Sequence, residues 1–415
     1  MSNLKPAYKT LDGIEKFFPS LYGEVTESQT VRYNKLFDKF KKSFNADCAY
    51  FASSSGRVEV CGNHTDHNGG RVVSCAISLD TLSAFLPTDN SIIHIKSEGY
   101  DDIVVDLSKD GNEKIGTSSA LVRGVVVGLK EHGYNVGGFN ACFTSNVLGG
   151  VGISSSASFE VLVAEIMNFL YNDGKIDNEE KSKIAQFSEN VYFGKPCGLL
   201  DQTAIAFGGL KRLDFSNKEK ISVTNIENNL SDYTLILINS GGSHADLTDE
   251  YAAIPKEMYA VANMLNKERL IDIDKTEFFR SLPKIYNSVS DRAILRAVHF
   301  FEENERVDGV YNALNGNDYD SFIKMINASG ESSLCKLQNC YVAGRTEQPI
   351  PKALAVAKTF NVNGASRVHG GGFAGSILNV VKNSEKDMFI SKMKAFYSDC
   401  DILPLRVRSV GTIVL

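Results

Sequence analysis

The sequence predicts a two-domain protein of mixed helices and strands, on three observations. The chain has 415 residues, whereas a single hydrophobic core stops growing at about 250–300 residues. Apolar stretches typical of strands occur along the chain together with stretches of helical periodicity, and no internal repeat is detectable. Two domains place a cleft between them, a common position for a small-molecule site. We expect the boundary near residue 200, so that residues 1–200 form one domain and residues 201–415 the other.

The first half of the chain contains two strand patterns around a polar turn, followed by two helix patterns. The segments GRVEVCG (56–62) and GRVVSCAISLD (70–80) are alternating or largely apolar, as strands are. The segment SSALVRGVVVGLKEHG (118–133) predicts a helix that ends at a glycine. The segment SSSASFEVLVAEIMNFL (154–170) predicts a second helix, whose serines are positioned to cap its start.

The second half adds strands and one long helix. The segment YTLILINS (233–240) predicts a buried strand, and SILNVV (376–381) predicts another. The segment DRAILRAVHFFEENERV (291–307) predicts a helix, and LPLRVRSVGTIVL (403–415) predicts a terminal strand.

Composition and charge disfavour several classes of partner. Lys and Arg number 44 and Asp and Glu number 50, which gives a net charge of −6 with no long basic block, so nucleic acid is not expected as a partner. Neither a secretion signal nor a run of about 18 apolar residues occurs, so no membrane span is expected. The eight cysteines lack a C-x-x-C spacing, which favours reduced, mostly buried thiols. We expect a cytoplasmic protein.

A dense polar turn follows the first strand pattern. The segment GRVEVCGNHTDHNGG (56–70) carries two His, an Asp, two Asn and an Arg within 15 residues. A surface turn is the simple alternative. The polar side chains follow an apolar stretch rather than replace it, so a ligand site at this turn stays open.

Glycines and then serines precede the second predicted helix in LGGVGISSSAS (148–158). Glycine lets a backbone approach a ligand closely, and a helix start offers N–H groups and a positive dipole end, which suit a phosphate. The serine hydroxyls could also reach a metal ion. No G-x-x-x-x-G-K-[ST] sequence occurs, so this is not a Walker loop. Tight packing is the alternative for the glycines.

Two further segments carry candidate functional residues. The segment RVHGGGFAGS (367–376) has three consecutive glycines before a predicted strand, where a plain turn is the alternative. The segment CGLLDQ (197–202) places Asp201 after two leucines. Such an acid is either a helix cap or a carboxylate used in chemistry, and periodicity does not decide between them.

Taken together, these segments resemble the motifs of galactokinases in the GHMP kinase superfamily. GRVEVCGNHTDHNGG is similar to the family's sugar-binding signature, LGGVGISSSAS to its phosphate loop, and RVHGGGFAGS to the third motif of the superfamily. Further matches are SENVYFGKPCGLLDQ, RAVHFFEENERV and the Met-Ser-Ser-Leu spacing in MINASGESSLCKLQNCY. The motifs occur in the family's order between Arg57 and Ser376, and several motifs in order are far more specific than any one alone.

The resemblance implies an α+β, two-domain GHMP kinase fold, with mixed β-sheets, helices and an active site in the cleft between the domains. ATP and galactose would meet there, with Mg²⁺ as cofactor. Asp201 matches the catalytic base, and Arg57 the arginine beside it. The sugar-contacting positions are matched by Asn63, His64, Asp66, Gly198 and Tyr251. The phosphate-binding positions are matched by Gly150, Gly152, Ser154, Ser155, Ser156 and Ala157, and the Mg²⁺ ligands by Ser155 and Glu189.

The chain departs from the family pattern at several positions. Asn63 stands where the family has Glu, which accepts a hydrogen bond from the C6 hydroxyl of the sugar, so we expect a weaker, neutral contact there. His67 stands where Tyr is usual, and we interpret it as a packing residue rather than a metal ligand. Leu148 replaces a Pro, Ser118 stands where an adenine-stacking Trp is usual, and AAIPKEM replaces basic residues after Tyr251. These changes leave the nucleotide preference open.

The resemblance implies a kinase that makes α-D-galactose 1-phosphate from ATP and galactose, as a monomer or a weak homo-oligomer. Two alternatives stay open: a kinase for a related sugar, such as galacturonate or N-acetylgalactosamine, and a non-catalytic regulator that responds to galactose. Non-catalytic relatives typically lose residues in the serine loop. The intact ISSSAS segment (153–158), Asp201 and Glu189 therefore favour turnover.

Overall fold

Helices and strands are mixed along the whole chain in a computed structural model that describes residues 6–109, 111–227, 230–242, 247–373 and 375–415. The strands are β1 (Tyr50–Cys61), β2 (Arg71–Pro87), β3 (Ile92–Ser97), β4 (Ile103–Asp106), β5 (Phe139–Ser145), β6 (Leu210–Asp214), β7 (Ser222–Asn225), β8 (Tyr233–Asn239), β9 (Ala365–Val368), β10 (Ser376–Lys382), β11 (Ile402–Leu405) and β12 (Ile413–Val414). The α-helices are α1 (Phe18–Tyr22), α2 (Glu27–Phe44), α3 (Ser118–Glu131), α4 (Ser155–Tyr171), α5 (Asn178–Phe187), α6 (Leu200–Phe207), α7 (Thr248–Met264), α8 (Lys275–Ile285), α9 (Asp291–Asn315), α10 (Tyr319–Ser332), α11 (Pro349–Phe360) and α12 (Lys386–Lys394).

The larger sheet is built around β2, which has 17 residues and pairs with three other strands. The strand order is β12-β1-β2-β5-β3-β4, and β6 and β7 extend the sheet from the first part of β2. The pairs are antiparallel except for β3 with β5, which is parallel. Apolar side chains of α3 and α4, such as Val125 and Leu162, pack on this sheet against residues such as Phe85 and Ile95.

The smaller sheet has the order β11-β8-β10-β9, and all its pairs are antiparallel. Leu354 of α11 packs with Ile377 of this sheet. Val310 of α9 packs with Leu378 in a cluster that also holds Val58 of the larger sheet, so the two sheets share part of their core. These mixed sheets and their helices confirm the predicted α+β fold class.

The two sheets divide the chain later than the boundary expected near residue 200. Because β6 and β7 belong to the larger sheet, the chain changes sheets between Asn225 and Tyr233. The single terminal strand predicted over 403–415 is wrong, since β11 pairs with β8 and β12 pairs with β1. Between them, the buried Arg408 donates to Ser53 Oγ at 2.7 Å and to Ser53 O at 3.0 Å, which anchors the crossing between the sheets.

The other predicted elements are confirmed. The strand patterns around the polar turn are β1 and β2, and the patterns at 118–133 and 154–170 are α3 and α4. The patterns at 233–240 and 376–381 are β8 and β10. The helix predicted from residue 291 continues as α9 to Asn315 instead of ending near 307. None of the helices in the described ranges is long and apolar enough to cross a membrane.

Candidate active site

Asp201 and Arg57 form a two-bond ion pair between α6 and β1. Arg57 Nε donates to Asp201 Oδ1 at 2.7 Å and Arg57 NH2 donates to Oδ2 at 2.9 Å, a geometry that fixes the orientation of the carboxylate. Burial alone would raise the pKa of Asp201, but the Arg57 guanidinium holds that pKa below its usual value. Asp201 is therefore ionised at neutral pH. The sequence left two roles open for Asp201, a helix cap or a carboxylate used in chemistry. The Asp201 side chain does not cap α6. It is held by the Arg57 guanidinium instead.

Ser154 joins this ion pair to the loop of glycines and serines. Its backbone is left-handed, with φ 63°, and its hydroxyl donates to Asp201 Oδ2 at 2.5 Å. The expected serine cap is therefore not formed, because Ser154 occupies the N-cap position of α4 without a side-chain cap bond. Arg57 NH1 also donates to Gly152 O at 2.5 Å. The start of α4 is thus held directly against the Arg57–Asp201 pair.

The loop before α4 has the features of a phosphate site. Gly150 has φ 80°, and a Cβ added there would meet no atom within 4 Å, so the backbone is accessible at this point. Gly152 has φ 83° and lies beside His369. The first N–H groups of a helix lack partners within the helix, and the helix dipole makes this end positive. Ser155 to Ala157 form the first residues of the 17-residue α4, so their N–H groups lie where an anion is stabilised.

Glu189 lies beside the serines but contacts Ser156 rather than Ser155. Ser156 Oγ donates to Glu189 Oε1 at 2.9 Å. Lys195 Nζ donates to the same oxygen at 3.1 Å, and Gln202 Nε2 donates to Oε2 at 3.0 Å. The serine bonded to Glu189 is therefore Ser156, the residue after the predicted ligand Ser155 at the start of α4.

The oxygen atoms around Glu189 fit a small divalent cation. Glu160 of α4 is fully buried, and neither of its carboxylate oxygens has a hydrogen-bond partner in the structure. Burial, and then the charge of Glu189, raise the pKa of Glu160 well above its usual value. Mg²⁺ is usually held by one or two carboxylates and completed by phosphate oxygens and water, which suits this excess of acidic groups. The described residues contain no group of three or more His, Cys, Asp or Glu side chains arranged to hold a metal ion, so phosphate oxygens and water would have to complete the coordination at Glu189.

The polar turn brings His64 and Asp66 together with Gly198. His64 has a left-handed backbone, with φ 55°, and its Nε2 donates to Gly371 O at 3.0 Å. Burial lowers the pKa of His64 to about 4, so the ring is neutral. Asp66 lies against Gly198, where an added Cβ would be 1.7 Å from Asp66 Oδ2. Burial, followed by the charge of Asp201, raises the pKa of Asp66 to about 6.

Asn63 differs from the expectation, because its side chain is fully buried and bonded to the protein. Its Nδ2 donates to Glu59 Oε1 at 3.0 Å and to Gly370 O at 2.8 Å. Its Oδ1 accepts from Asn339 Nδ2 at 2.8 Å and from Ser333 Oγ at 3.3 Å. A side-chain amide has two N–H hydrogens and two oxygen lone pairs, so these contacts use all of its bonding capacity. The Asn63 amide therefore has no donor or acceptor left for the expected contact with the C6 hydroxyl of the sugar.

Tyr251 and His67 pack beside the same turn. The Tyr251 hydroxyl donates to Gly372 O at 2.8 Å, and its ring packs edge-on against Phe373 with centroids 5.2 Å apart. Tyr251 thus lies on the glycine segment of the third motif. The ring of His67 lies 6.0 Å from that of His64, and burial lowers the pKa of His67 to about 3. His67 is partly buried beside His64, and its role as a packing residue stays a prediction.

The sequence analysis missed Glu59 and Asn339, both of which hold Asn63. Glu59 follows Arg57 by two residues on β1, which places both side chains on one face of the strand. An acid in that position was an available signal. Asn339 lies in the matched segment MINASGESSLCKLQNCY, but nothing local pairs it with Asn63, which is 276 residues away along the chain.

Comparisons with known proteins show what the chain as a whole is similar to. The galactokinase galactose-binding signature matches residues 38–87, and the GHMP kinases N terminal domain matches residues 115–209. The galactokinase of Clostridium beijerinckii is 31% identical over 376 residues, which cover 88% of this chain and 93% of that protein. The galactokinase of Clostridium acetobutylicum is 30% identical over 375 residues, with coverage of 88% and 94%.

Solved structures show the same fold. The Lactococcus lactis galactokinase complexed with galactose superposes with a TM-score of 0.81 at 24% identity, over 93% of this chain and 100% of that chain. The Methanococcus jannaschii mevalonate kinase superposes with a TM-score of 0.62 at 16% identity, over 86% of this chain and 98% of that chain. At these identities the likeness extends to the fold only.

Proposed function

The chain belongs to the galactokinase family of GHMP kinases, and from this premise we propose which of its residues carry out the reaction. The protein is an ATP-dependent sugar kinase that phosphorylates the anomeric hydroxyl of galactose to give α-D-galactose 1-phosphate. The observation that supports our assignment most is the cluster in which Arg57 and Ser154 hold Asp201 at the start of α4.

Asp201 acts as the general base in this proposal. As the anomeric oxygen bonds to the γ-phosphorus of ATP, the bond from that phosphorus to the ADP oxygen breaks and ADP leaves. The hydroxyl proton passes to the Asp201 carboxylate. The low pKa of Asp201 makes it a weak base, but in a loose transition state the proton leaves late, when the hydroxyl has become more acidic. Arg57 keeps its charge throughout, so it orients the carboxylate and stabilises the negative charge that develops on the attacking oxygen.

The start of α4 binds the phosphates of ATP. The phosphoryl group is bound by backbone N–H groups around Gly150, Gly152 and residues 154–157. The positive end of the α4 dipole lies at the same place and stabilises its negative charge. We assign Ser155 and Glu189 as the residues that would hold Mg²⁺, which supplies neutralisation of phosphate charge when it is bound. Phosphoryl transfer depends mainly on such positioning and charge stabilisation.

Replacing Ser155 tests the metal assignment. Ser155→Ala should raise the Mg²⁺ concentration for half-maximal activity and the KM for ATP by about tenfold, while the calorimetric Kd for galactose changes less than about twofold. Ser156→Ala is the matched control, since it removes only the 2.9 Å bond to Glu189. A larger Mg²⁺ effect from Ser156→Ala than from Ser155→Ala would assign the ligand to Ser156 instead.

The sugar binds against the polar turn. Its hydroxyls form hydrogen bonds with Asp66, His64 and the backbone at Gly198. Tyr251 closes this side through its contact with the glycine segment. The close approach of Asp66 to Gly198 supports the proposal, because it places a carboxylate acceptor beside the helix that carries Asp201. Asn63 supports the turn from behind rather than touching the sugar.

Galactose binding should depend on pH through Asp66. The pKa of Asp66 is about 6, raised by burial, Asp201 and Glu59 and opposed by the backbone N–H groups of His67 and Leu200. Only the ionised carboxylate accepts hydrogen bonds at both oxygens, so the affinity should be constant above pH 6 and fall by up to about tenfold per pH unit below it. Calorimetry without nucleotide between about pH 5.5 and 8 measures this. Asp66→Asn should bind weakly with no pH dependence, and a wild-type affinity that stays flat through pH 6 would contradict the role of Asp66.

The substrate is tested by ADP release across a panel of sugars. With galactose and Mg-ATP we expect turnover at an ordinary kinase rate, about 1–100 s⁻¹. Faster turnover of galacturonate or N-acetylgalactosamine would change the substrate but keep the kinase. Galactose binding without ADP release would favour a regulator.

We propose that the protein works in the cytoplasm as a monomer or a weak homo-oligomer, with galactose and ATP as its partners. Its cysteines form no disulfide, and Cys61, Cys75, Cys142 and Cys340 are buried. Reduced thiols are usual in proteins of a reducing compartment. Size-exclusion chromatography with light scattering tests the oligomeric state.

A further inference from the structure

We propose that Glu59 and Asn63 form a positioning pair in which Glu59 supplies the negative charge that the family resemblance assigns to position 63. The pair holds the polar turn in the shape that binds galactose. This inference rests on the proposed sugar site. It adds a positioning residue, Glu59, which lies within the GRVEVCGNHTDHNGG segment but has no role assigned by the resemblance.

The first observation is that the Glu59 carboxylate is enclosed by fixed hydrogen-bond donors. Glu59 is 3% exposed. Asn63 Nδ2 donates to Oε1 at 3.0 Å and lies 3.3 Å from Oε2. Arg367 NH2 donates to Oε1 at 3.0 Å, and this arginine is itself fully buried. A buried carboxylate is tolerated only when it is paired and hydrogen-bonded, so this contact set needs one negative charge.

The second observation is that Asn63 links three separate segments of the chain. Through Gly370 O it is bonded to the glycine segment of the third motif, and through Asn339 Nδ2 to the region after α10. Its own carbonyl oxygen accepts from His299 Nε2 of α9 at 2.9 Å. These bonds hold the end of β1 from three directions.

The third observation is that the next residue, His64, adopts a backbone conformation that an L-residue rarely adopts. Its φ of 55° persists only if surrounding contacts enforce it. Nε2 of His64 donates to Gly371 O, the residue after the one that Asn63 binds. Asn63 and His64 are therefore hydrogen-bonded to adjacent carbonyl groups of the glycine segment. A shift of Asn63 would move His64, and with it the sugar-binding face of the turn.

A carboxylate at position 63 should disrupt the polar turn in this chain, whereas the family pattern alone suggests that it would contact the C6 hydroxyl of the sugar. In Asn63→Glu, a second carboxylate would meet Glu59 at hydrogen-bond distance, with the carbonyl oxygen of Gly370 facing the same position. Two like charges in a buried site repel each other strongly, and neither can donate a hydrogen bond. The substitution therefore removes the hydrogen bonds from position 63 to Glu59 and Gly370 that hold the turn in place, and it adds no contact to the sugar.

The test is a cycle of three variants: Asn63→Glu, Glu59→Asn and the exchanged double variant Glu59→Asn/Asn63→Glu. We expect each single variant to weaken galactose binding by at least about tenfold in calorimetry without nucleotide, the equivalent of about 1.4 kcal/mol. The double variant restores one amide and one carboxylate in contact. It should therefore bind galactose more tightly than either single variant and have a higher Tm than both. Recovery should be partial, because the Gly370 carbonyl oxygen still faces position 63 and Arg367 loses its bond to the carboxylate at position 59.

Several outcomes overturn the pair. Asn63→Glu that binds galactose as tightly as wild type, with an unchanged Tm, would show that Glu59 does not require a donor at position 63. A double variant that loses the product of the two single losses would show that the residues act independently. Recovery of Tm without recovery of galactose binding would show a purely structural pair. Failure of wild type to bind galactose would instead count against the proposed sugar site, so the two failures are distinguishable.

Discussion

Asp201→Asn is expected to lower kcat by about 10²–10⁴-fold while galactose still binds within a few-fold of the wild-type Kd. Asn has the size of Asp and can still accept a hydrogen bond from Ser154, so the shape of the site is kept. It cannot accept the proton of the anomeric hydroxyl. Stopped-flow or coupled measurement of ADP release gives kcat, and calorimetry without nucleotide gives the Kd for galactose.

A matched control separates loss of the base from loss of an ion pair. Asp201→Asn leaves Arg57 without its carboxylate, which can lower stability by itself. Asp214→Asn also removes the acid from an Asp–Arg pair, with Arg71 at 2.9 Å, but lies outside the site. It should keep a kcat near that of the wild type. If Asp201→Asn retained near-normal turnover, or if both variants lost turnover equally, Asp201 would not be the base.

Gly198→Ala is expected to weaken galactose binding by about 10–100-fold, because a Cβ at this position would lie 1.7 Å from Asp66 Oδ2. The Asp66 carboxylate, which we propose binds the sugar hydroxyls, would have to move. The KM for ATP should change little, since the three atoms nearest an added Cβ at Gly198 all belong to Asp66 and none to the phosphate loop. Calorimetric titration with galactose and initial rates at varied ATP measure the two effects.

The control for this substitution is Gly316→Ala at the end of α9. The nearest atom to an added Cβ there is Asn312 O at 3.2 Å, and the residue is far from the site in the fold. Its galactose affinity should equal that of the wild type. Gly198→Ala with unchanged galactose affinity would mean that Asp66 is not in contact with the sugar.

Much of the candidate site was predictable because its motifs are local. Arg57, Asp201 and the serines of 154–156 each stand in a short segment with a recognisable spacing, and the order of those segments identified the family. The structure pairs Arg57 with Asp201, and their roles in the reaction stay predictions. Their chemistry followed from residue type, since a carboxylate beside an arginine stays ionised.

Details of contact were not predictable in the same way. Ser154 occupies the expected cap position, but its hydroxyl binds Asp201, which is 47 residues further along the chain. Glu189 contacts Ser156 instead of Ser155, a difference of one helix position that sequence spacing cannot resolve. The terminal segment contributes one strand to each sheet. The crossing between them is anchored by Arg408, which is bonded to Ser53, 355 residues away.

The sequence by itself determined the fold class, the main helices and strands and the family, because periodicity and motif spacing are properties of neighbouring residues. Only the tertiary structure decided which polar groups satisfy one another. Asn63 was expected to face the sugar, yet its side-chain amide is fully bonded to Glu59, Gly370, Asn339 and Ser333. Buried polar groups must find partners wherever the fold places them, and those partners come from distant parts of the chain. The direction in which a buried side chain points is therefore set by the packed protein as a whole rather than by the motif that contains it.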